Sequence, residues 1–306
     1  MKVGVVLLTY GAPRDLDEVA AYLTRVRGGR EPSPELVREF RERYRVIGGS
    51  PLVRISEAQA AGVGDILGDE FRVVAGMRFS EPSIATRVAE LGGFAPDAVV
   101  GVCLSPQWSS GLMGGYETAL REAAARALPG VRVVMARDWY REPLFIAALA
   151  ERIREALGGL DDGVPVLLTA HSLPKRIFGS EPDYVARLRE TGALVAERAG
   201  LDAGRWQWAY QSAGHTREEW LRPDLTELFP DLAARGAREV LVVPVQFLAD
   251  HLEVLYDLDV AAAAEARACG LAYHRIEMPN TQRTFLRALA HVAGREVASI
   301  AVAPVR

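Results

Sequence analysis

Three stretches of the sequence gather side chains able to handle protons or cations. In Ala170-His171-Ser172-Leu173-Pro174 one imidazole directly follows an apolar run. Imidazole changes charge near neutral pH and is also a common metal ligand. His171 therefore reads either as a base or ligand at the mouth of a cleft, or as a residue that caps the next segment by bonding backbone. Asp250, Glu253 and Asp257 are spaced i, i+3 and i+7. If that stretch is helical, the three carboxylates lie along one face. With an imidazole opposite, they make a weak, open site for a divalent first-row cation that must be released rather than kept. The plainer alternative is an N-cap at Asp250 followed by two solvated acids; Tyr256 and the apolar residues among the acids weaken it. Tyr10, in Thr9-Tyr10-Gly11-Ala12-Pro13, either brings a phenol to a ligand or fills a core. Arg25, Arg27 and Arg30 surround Gly28 and Gly29. They form either a cationic loop for substrate carboxylates or a solvated helix end. Arg43-Tyr44 and Gly48-Gly49-Ser50-Pro51 add polar groups to the same half.

Other chemistries find no support. The two cysteines, Cys103 and Cys269, have no neighbour at metal-ligand or redox spacing, so neither a disulfide framework nor an iron–sulfur cluster is expected. A structural zinc site would need Cys or His ligands at tight spacing. No Gly-x-Gly-x-x-Gly follows a strand and no Gly-Lys-Ser/Thr occurs, which leaves nucleotide chemistry unsupported. Ser172 and Ser105 lie outside any Gly-x-Ser-x-Gly elbow, against hydrolysis by a serine nucleophile. The net charge of −4 argues against a nucleic-acid partner. No apolar run approaches the roughly 18 residues that span a bilayer, and no basic–apolar leader opens the chain. The expectation is a soluble cytoplasmic protein with no membrane insertion.

The elements that must position these residues follow from hydropathy. Short runs of Val, Leu and Ile alternate with longer amphipathic stretches, the pattern of buried parallel strands joined by crossover helices. Strands are expected at 3–9, 71–77, 98–104, 131–136, 164–170, 206–210, 239–245 and 272–276. Helices are expected at 16–26, 34–46, 118–127 and 284–297, among others. The class is α/β, with two successive doubly wound domains over 1–140 and 141–306; the last helix is able to pack back on the first. Ligands of open α/β sheets sit beyond the carboxyl ends of the strands, where Tyr10, His171 and the 246–253 segment fall.

Several ordered motifs resemble the ferrochelatase family nearly end to end. They are Ala170-His171-Ser172-Leu173-Pro174 and Ala249-Asp250-His251-Leu252-Glu253-Val254-Leu255-Tyr256-Asp257, with Ile47-Gly48-Gly49-Ser50-Pro51-Leu52, Tyr210-Gln211-Ser212, Trp220-Leu221-Arg222-Pro223 and Glu277-Met278-Pro279-Asn280. The resemblance implies two Rossmann-like domains around a porphyrin cleft and an enzyme that inserts ferrous iron, a substrate, with no permanently bound cofactor. His171 and Glu253 match the iron-handling catalytic pair. Tyr10 matches an axial oxygen ligand found in members acting on coproporphyrin III. Arg27, Arg43, Tyr44, Ser50 and Tyr116 match positions that contact the porphyrin, and Asp250 and Asp257 a metal relay. The chain departs from the bacterial pattern at Gly28, where a basic residue is frequent, and at Ala261, where a further acid continues the row. The resemblance therefore does not extend to a second, outer metal site. It implies haem biosynthesis, a monomer, and transient partners from the same pathway. The alternatives are a protoporphyrin IX ferrochelatase, another tetrapyrrole chelatase, or a non-catalytic porphyrin carrier.

Overall fold

The structure, a computed structural model, describes residues 1–214 and 218–302. In chain order the elements are β1 Val3–Thr9, α1 Val19–Val26, α2 Pro34–Val46, α3 Leu52–Leu67, β2 Phe71–Met77, α4 Ile84–Glu90, β3 Ala98–Cys103, α5 Ser110–Ala127 and β4 Arg132–Ala136. There follow α6 Pro143–Leu157, β5 Val166–His171, α7 Lys175–Ser180, α8 Pro182–Ala199, β6 Trp206–Gln211, α9 Leu225–Ala234 and β7 Glu239–Pro244. A π-helix, Glu253–Ala262, runs into α10 Ala263–Ala268, and β8 Ala272–Arg275 and α11 Arg283–Val302 complete the order.

These elements form two compact units, Met1–Glu142 with Asn280–Arg306, and Pro143–Pro279. A single cut at 140/141 would leave the chain's last segment with the second unit; contacts instead group α11 with the first. There it packs on α3, β3 and β4, and Gln59 Nε2 donates to the carbonyl of Asn280 at 2.8 Å.

The first unit holds a parallel sheet in the order β2-β1-β3-β4. Every residue of β1 and β3 is buried, as expected of strands covered on both faces. The strand order reverses between β1 and β3, so the crevice for a ligand lies beyond Thr9 and Cys103. Two helix starts differ from expectation. Residues 15–18 form a turn, because Asp15 Oδ1 takes the N–H groups of Asp17 and Glu18 at 3.0 Å, and α1 begins only at Val19. Helix α5 begins at Ser110, eight residues before the expected 118, with the Ser109 hydroxyl accepting from Leu112 N.

The second unit repeats the plan with the parallel order β6-β5-β7-β8 and its switch point between β5 and β7. Strand β5 spans Val166–His171, so His171 is its last residue rather than the first of the loop after 164–170. One face is filled by Leu167, Phe229, Val240, Val242, Leu258 and Ala262. Val254, Leu258 and Ala262 are the buried residues of the π-helix.

Candidate active site

In the second unit the switch point brings His171 and Glu253 together. Nε2 of His171 lies 3.8 Å from Glu253 Oε2, with both side chains partly open to solvent. Nδ1 lies 2.5 Å from the carbonyl oxygen of Ser172. A carbonyl can only accept, so Nδ1 carries a proton, and in the neutral ring the lone pair falls on Nε2, on the side of Glu253. The backbone holds the ring in place as well. His171 N donates to Gln246 Oε1 at 2.9 Å, and Gln246 Nε2 donates to the buried Tyr184 hydroxyl at 2.7 Å. Beside it, Gln211 is register-paired with His171 and accepts from Thr169 Oγ1 at 2.5 Å. Ser172 Oγ is buried and donates to the Leu221 carbonyl, which leaves it no part as a nucleophile activated by His171.

Glu253 opens the π-helix, and its N–H donates to Nδ1 of His251 at 3.1 Å. That acceptor role puts the His251 proton on Nε2. The His251 ring stands edge-on to Phe247, centroids 4.5 Å apart. Burial holds its pKa below the ordinary range, aided by His171 and Arg275 and opposed by Glu253 and Asp250. His251 is thus a neutral imidazole beside the His171–Glu253 pair. Sequence reading quoted it within a motif but gave it no role; its place two residues before Glu253 was the available signal.

The expected row of three carboxylates is not reproduced. Asp250 precedes the helix, and its Oδ1 faces Arg275 Nη2 at 3.5 Å. Asp257 follows Glu253 by one wide turn. Among the described residues no group of three or more His, Cys, Asp or Glu side chains could hold a metal ion.

In the first unit Tyr10 follows β1 at the other switch point and is 43% exposed, unusual for a large aromatic side chain. Its ring meets Phe79 edge-on at 4.7 Å. The guanidinium of Arg78 lies over the rings of Phe79 and Tyr116, at 4.8 and 5.0 Å. A Cβ at Gly115 would meet the guanidinium of Arg78, the movable end of a long side chain. No carboxylate among the described residues pairs with Arg78. Arg78 is half-buried, and its Nη1 donates to the Leu112 carbonyl at 3.5 Å. Arg78 is the second residue that sequence reading missed, since nothing in its spacing sets it apart.

The remaining expected contacts are dispersed over the first unit. Tyr116 is 8% exposed, and burial pushes its phenol well above the ordinary pKa, with Cys103 and Tyr10 adding to the rise and Arg78 opposing it. Tyr44 is 4% exposed. Arg43 pairs with Glu39 at 2.6 Å, Arg27 is exposed at the end of α1, and Ser50 Oγ accepts from Leu52 N at 3.4 Å.

A family model for ferrochelatase matches residues 2–297. The chain belongs to the ferrochelatase family. It is an enzyme that inserts iron into a porphyrin in haem biosynthesis. Among its relatives, the coproporphyrin III ferrochelatase of Bacillus pumilus is 33% identical over 95% of this chain and 96% of the relative. The ferrochelatase of Deinococcus radiodurans is 35% identical over 98% and 97%. The solved structure of SirB from Bacillus subtilis with Fe3+ shares the fold, with a TM-score of 0.62 over 97% of this chain and 98% of that one at 13% identity. No described helix of this ferrochelatase family member is long and apolar enough to cross a membrane.

Proposed function

We propose that the porphyrin is coproporphyrin III, and that His171 and Glu253 handle the iron and the pyrrole protons. The observation that carries the site assignment is the pinned tautomer of His171. Insertion of a divalent ion expels two pyrrole protons, so the reaction needs a base whose lone pair is free at neutral pH. The Nδ1–H bond to Ser172 leaves that lone pair on Nε2, and the Glu253 carboxylate beside it offers a route for cations in and protons out. His251, with its proton on Nε2, serves as a neutral neighbour that does not repel the incoming ion. Asp257, one turn on from Glu253, extends the route.

The choice of ring rests on the first unit and on the relatives. Coproporphyrin carries four propionates, and Arg78 offers a guanidinium that pairs with no carboxylate among the described residues, with Arg27, Arg43, Tyr44, Ser50 and Tyr116 as further candidate contacts. Tyr10, exposed after β1, supplies a phenol oxygen for the product iron. Relatives named coproporphyrin III ferrochelatase span nearly the whole chain at 33–35% identity. We place the reaction in the cytoplasm, carried out by a monomer that hands its product to transient pathway partners.

The test is anaerobic ferrous-iron insertion with coproporphyrin III and protoporphyrin IX side by side, followed by the porphyrin absorption bands. Coproporphyrin is expected to turn over faster. A preference for protoporphyrin removes the subtype, and binding of both rings without turnover makes the protein a carrier. His171→Ala is expected to lower turnover by about 100-fold or more while porphyrin binding persists. Retained turnover in that variant removes His171 from the chemistry.

A further inference from the structure

The π-helix that carries Glu253 and Asp257 is long for its kind, since i→i+5 turns usually occur singly inside α-helices. Something must hold ten residues in that register, and a carboxylate from before the helix and one from within it meet at one side chain. Arg275, the last residue of β8, makes a two-pronged bond to Asp259, Nε to Oδ1 at 2.6 Å and Nη2 to Oδ2 at 2.8 Å. The same Nη2 reaches Asp250 Oδ1 at 3.5 Å, and Nη1 donates to the Ile276 carbonyl at 2.7 Å. Asp250 lies three residues before Glu253, and Asp259 two residues after Asp257. The side chain of Arg275 is 13% exposed, so the fork is shielded from competition by water.

We infer that Arg275 is a positioning residue for iron handling: it ties the two flanks of the Glu253–Asp257 segment to the edge strand of the sheet and so fixes the helical register that aims Glu253 at His171. This inference rests on the assignment of Glu253 to iron made above. Physically, the guanidinium spans Asp250 and Asp259 in one plane, which a lysine cannot do. Burial works against its charge, but the two carboxylates outweigh burial and keep it protonated. Without the fork, the turns between the flanks are free to shorten toward i→i+4, which carries Glu253 and Asp257 around the axis and away from His171. The same fork keeps Asp250 occupied, so the cation near Glu253 meets few ligands and leaves easily.

The experiment is steady-state iron insertion by Arg275→Gln, Asp259→Asn, Arg275→Lys and Glu253→Gln in the full chain. KM for ferrous iron and KM for porphyrin are measured separately, and thermal unfolding is followed in parallel. Arg275→Gln and Asp259→Asn are expected to raise KM for iron, or lower kcat at saturating porphyrin, by about tenfold or more, because a displacement of about 1 Å can cost up to about 100-fold. KM for porphyrin should stay within about twofold. Arg275→Lys, which keeps the charge but loses the fork, should fall between, and it serves in place of Arg275→Gln should that variant fail to fold. A merely structural ion pair would lower the folded fraction and leave both KM values of the folded enzyme unchanged. That result overturns the inference, as does an equal rise in both KM values. If Glu253→Gln impairs insertion while the Arg275 and Asp259 variants do not, positioning by Arg275 fails and the assignment of Glu253 stands. An unaffected Glu253→Gln overturns that assignment, and the role of Arg275 in iron handling falls with it.

Discussion

A histidine serves as a base at neutral pH when one nitrogen is committed to its proton and the other is free. His171 meets that condition through a backbone acceptor, Ser172 O, which cannot titrate away. The ring's height above the sheet depends in turn on Gln246, whose amide accepts from His171 N and donates to Tyr184. Gln246→Leu is expected to leave a partly buried N–H unpaired, at a cost of about 1–3 kcal/mol, and to let the imidazole drift. Turnover should fall by about tenfold with little change in porphyrin affinity. Single-turnover kinetics against fluorescence-quenching titration separates the two effects. For Tyr10 the expectation is spectral. Tyr10→Phe removes the only oxygen of an exposed side chain and should shift the absorption bands of the iron product; unchanged bands argue against ligation by the phenol.

Helices and strands decide whether such residues meet. The strands were largely legible because most are short runs rich in apolar residues, as in Val3–Thr9 and Ala98–Cys103. Helix starts were less so. The early start of α5 is hidden by Gly111, Gly114 and Gly115, which read locally as breakers. The late start of α1 comes from Asp15 capturing two N–H groups, a competition that a hydropathy pattern does not register. The π-helix left no distinct trace, because the four-residue spacing of Val254, Leu258 and Ala262 and the acidic i, i+3, i+7 pattern both read as an ordinary helix. Packing also inverts a simple helix rule at Gly192 of α8. Alanine usually gains about 1 kcal/mol over glycine inside a helix. Here an added Cβ would sit 2.8 Å from the Trp208 ring, a rigid neighbour, and overpacking costs about 1–3 kcal/mol. Gly192→Ala is therefore expected to be neutral to destabilising by up to about 2 kcal/mol in chemical denaturation. A clear gain in stability would mean that the indole yields.

At the scale of the molecule, the same plan appears twice: a parallel four-stranded sheet, an order reversal beside its first strand, and a candidate functional side chain at or just past that strand's end. Tyr10 follows β1 and His171 ends β5. That repetition was readable from the alternation of strands and helices, and the motif resemblance gave the pair its chemistry. What the sequence did not reveal is how the second unit's flanks converge on Arg275, because that meeting joins residues 250, 259 and 275 through the sheet edge. The division into units carries a further prediction. Removing residues 280–306 uncovers α3, β3 and β4, all in the first unit, and leaves Pro143–Pro279 intact. Hydrogen exchange in the truncated chain should accelerate in β1 to β4 and stay slow in β5 to β7. Uniform acceleration in both sheets would show that the two units unfold as one.

The return of α11 to the first unit also sets an order of events during synthesis. The second unit is one uninterrupted segment, whereas the first lacks its covering helix until residues 280–302 have left the ribosome. At roughly 5–20 residues per second, the segment between them delays completion by on the order of ten seconds. The nascent chain therefore spends that interval with the apolar flank of β3 and β4 uncovered, and the part of the protein made first is the last to be finished.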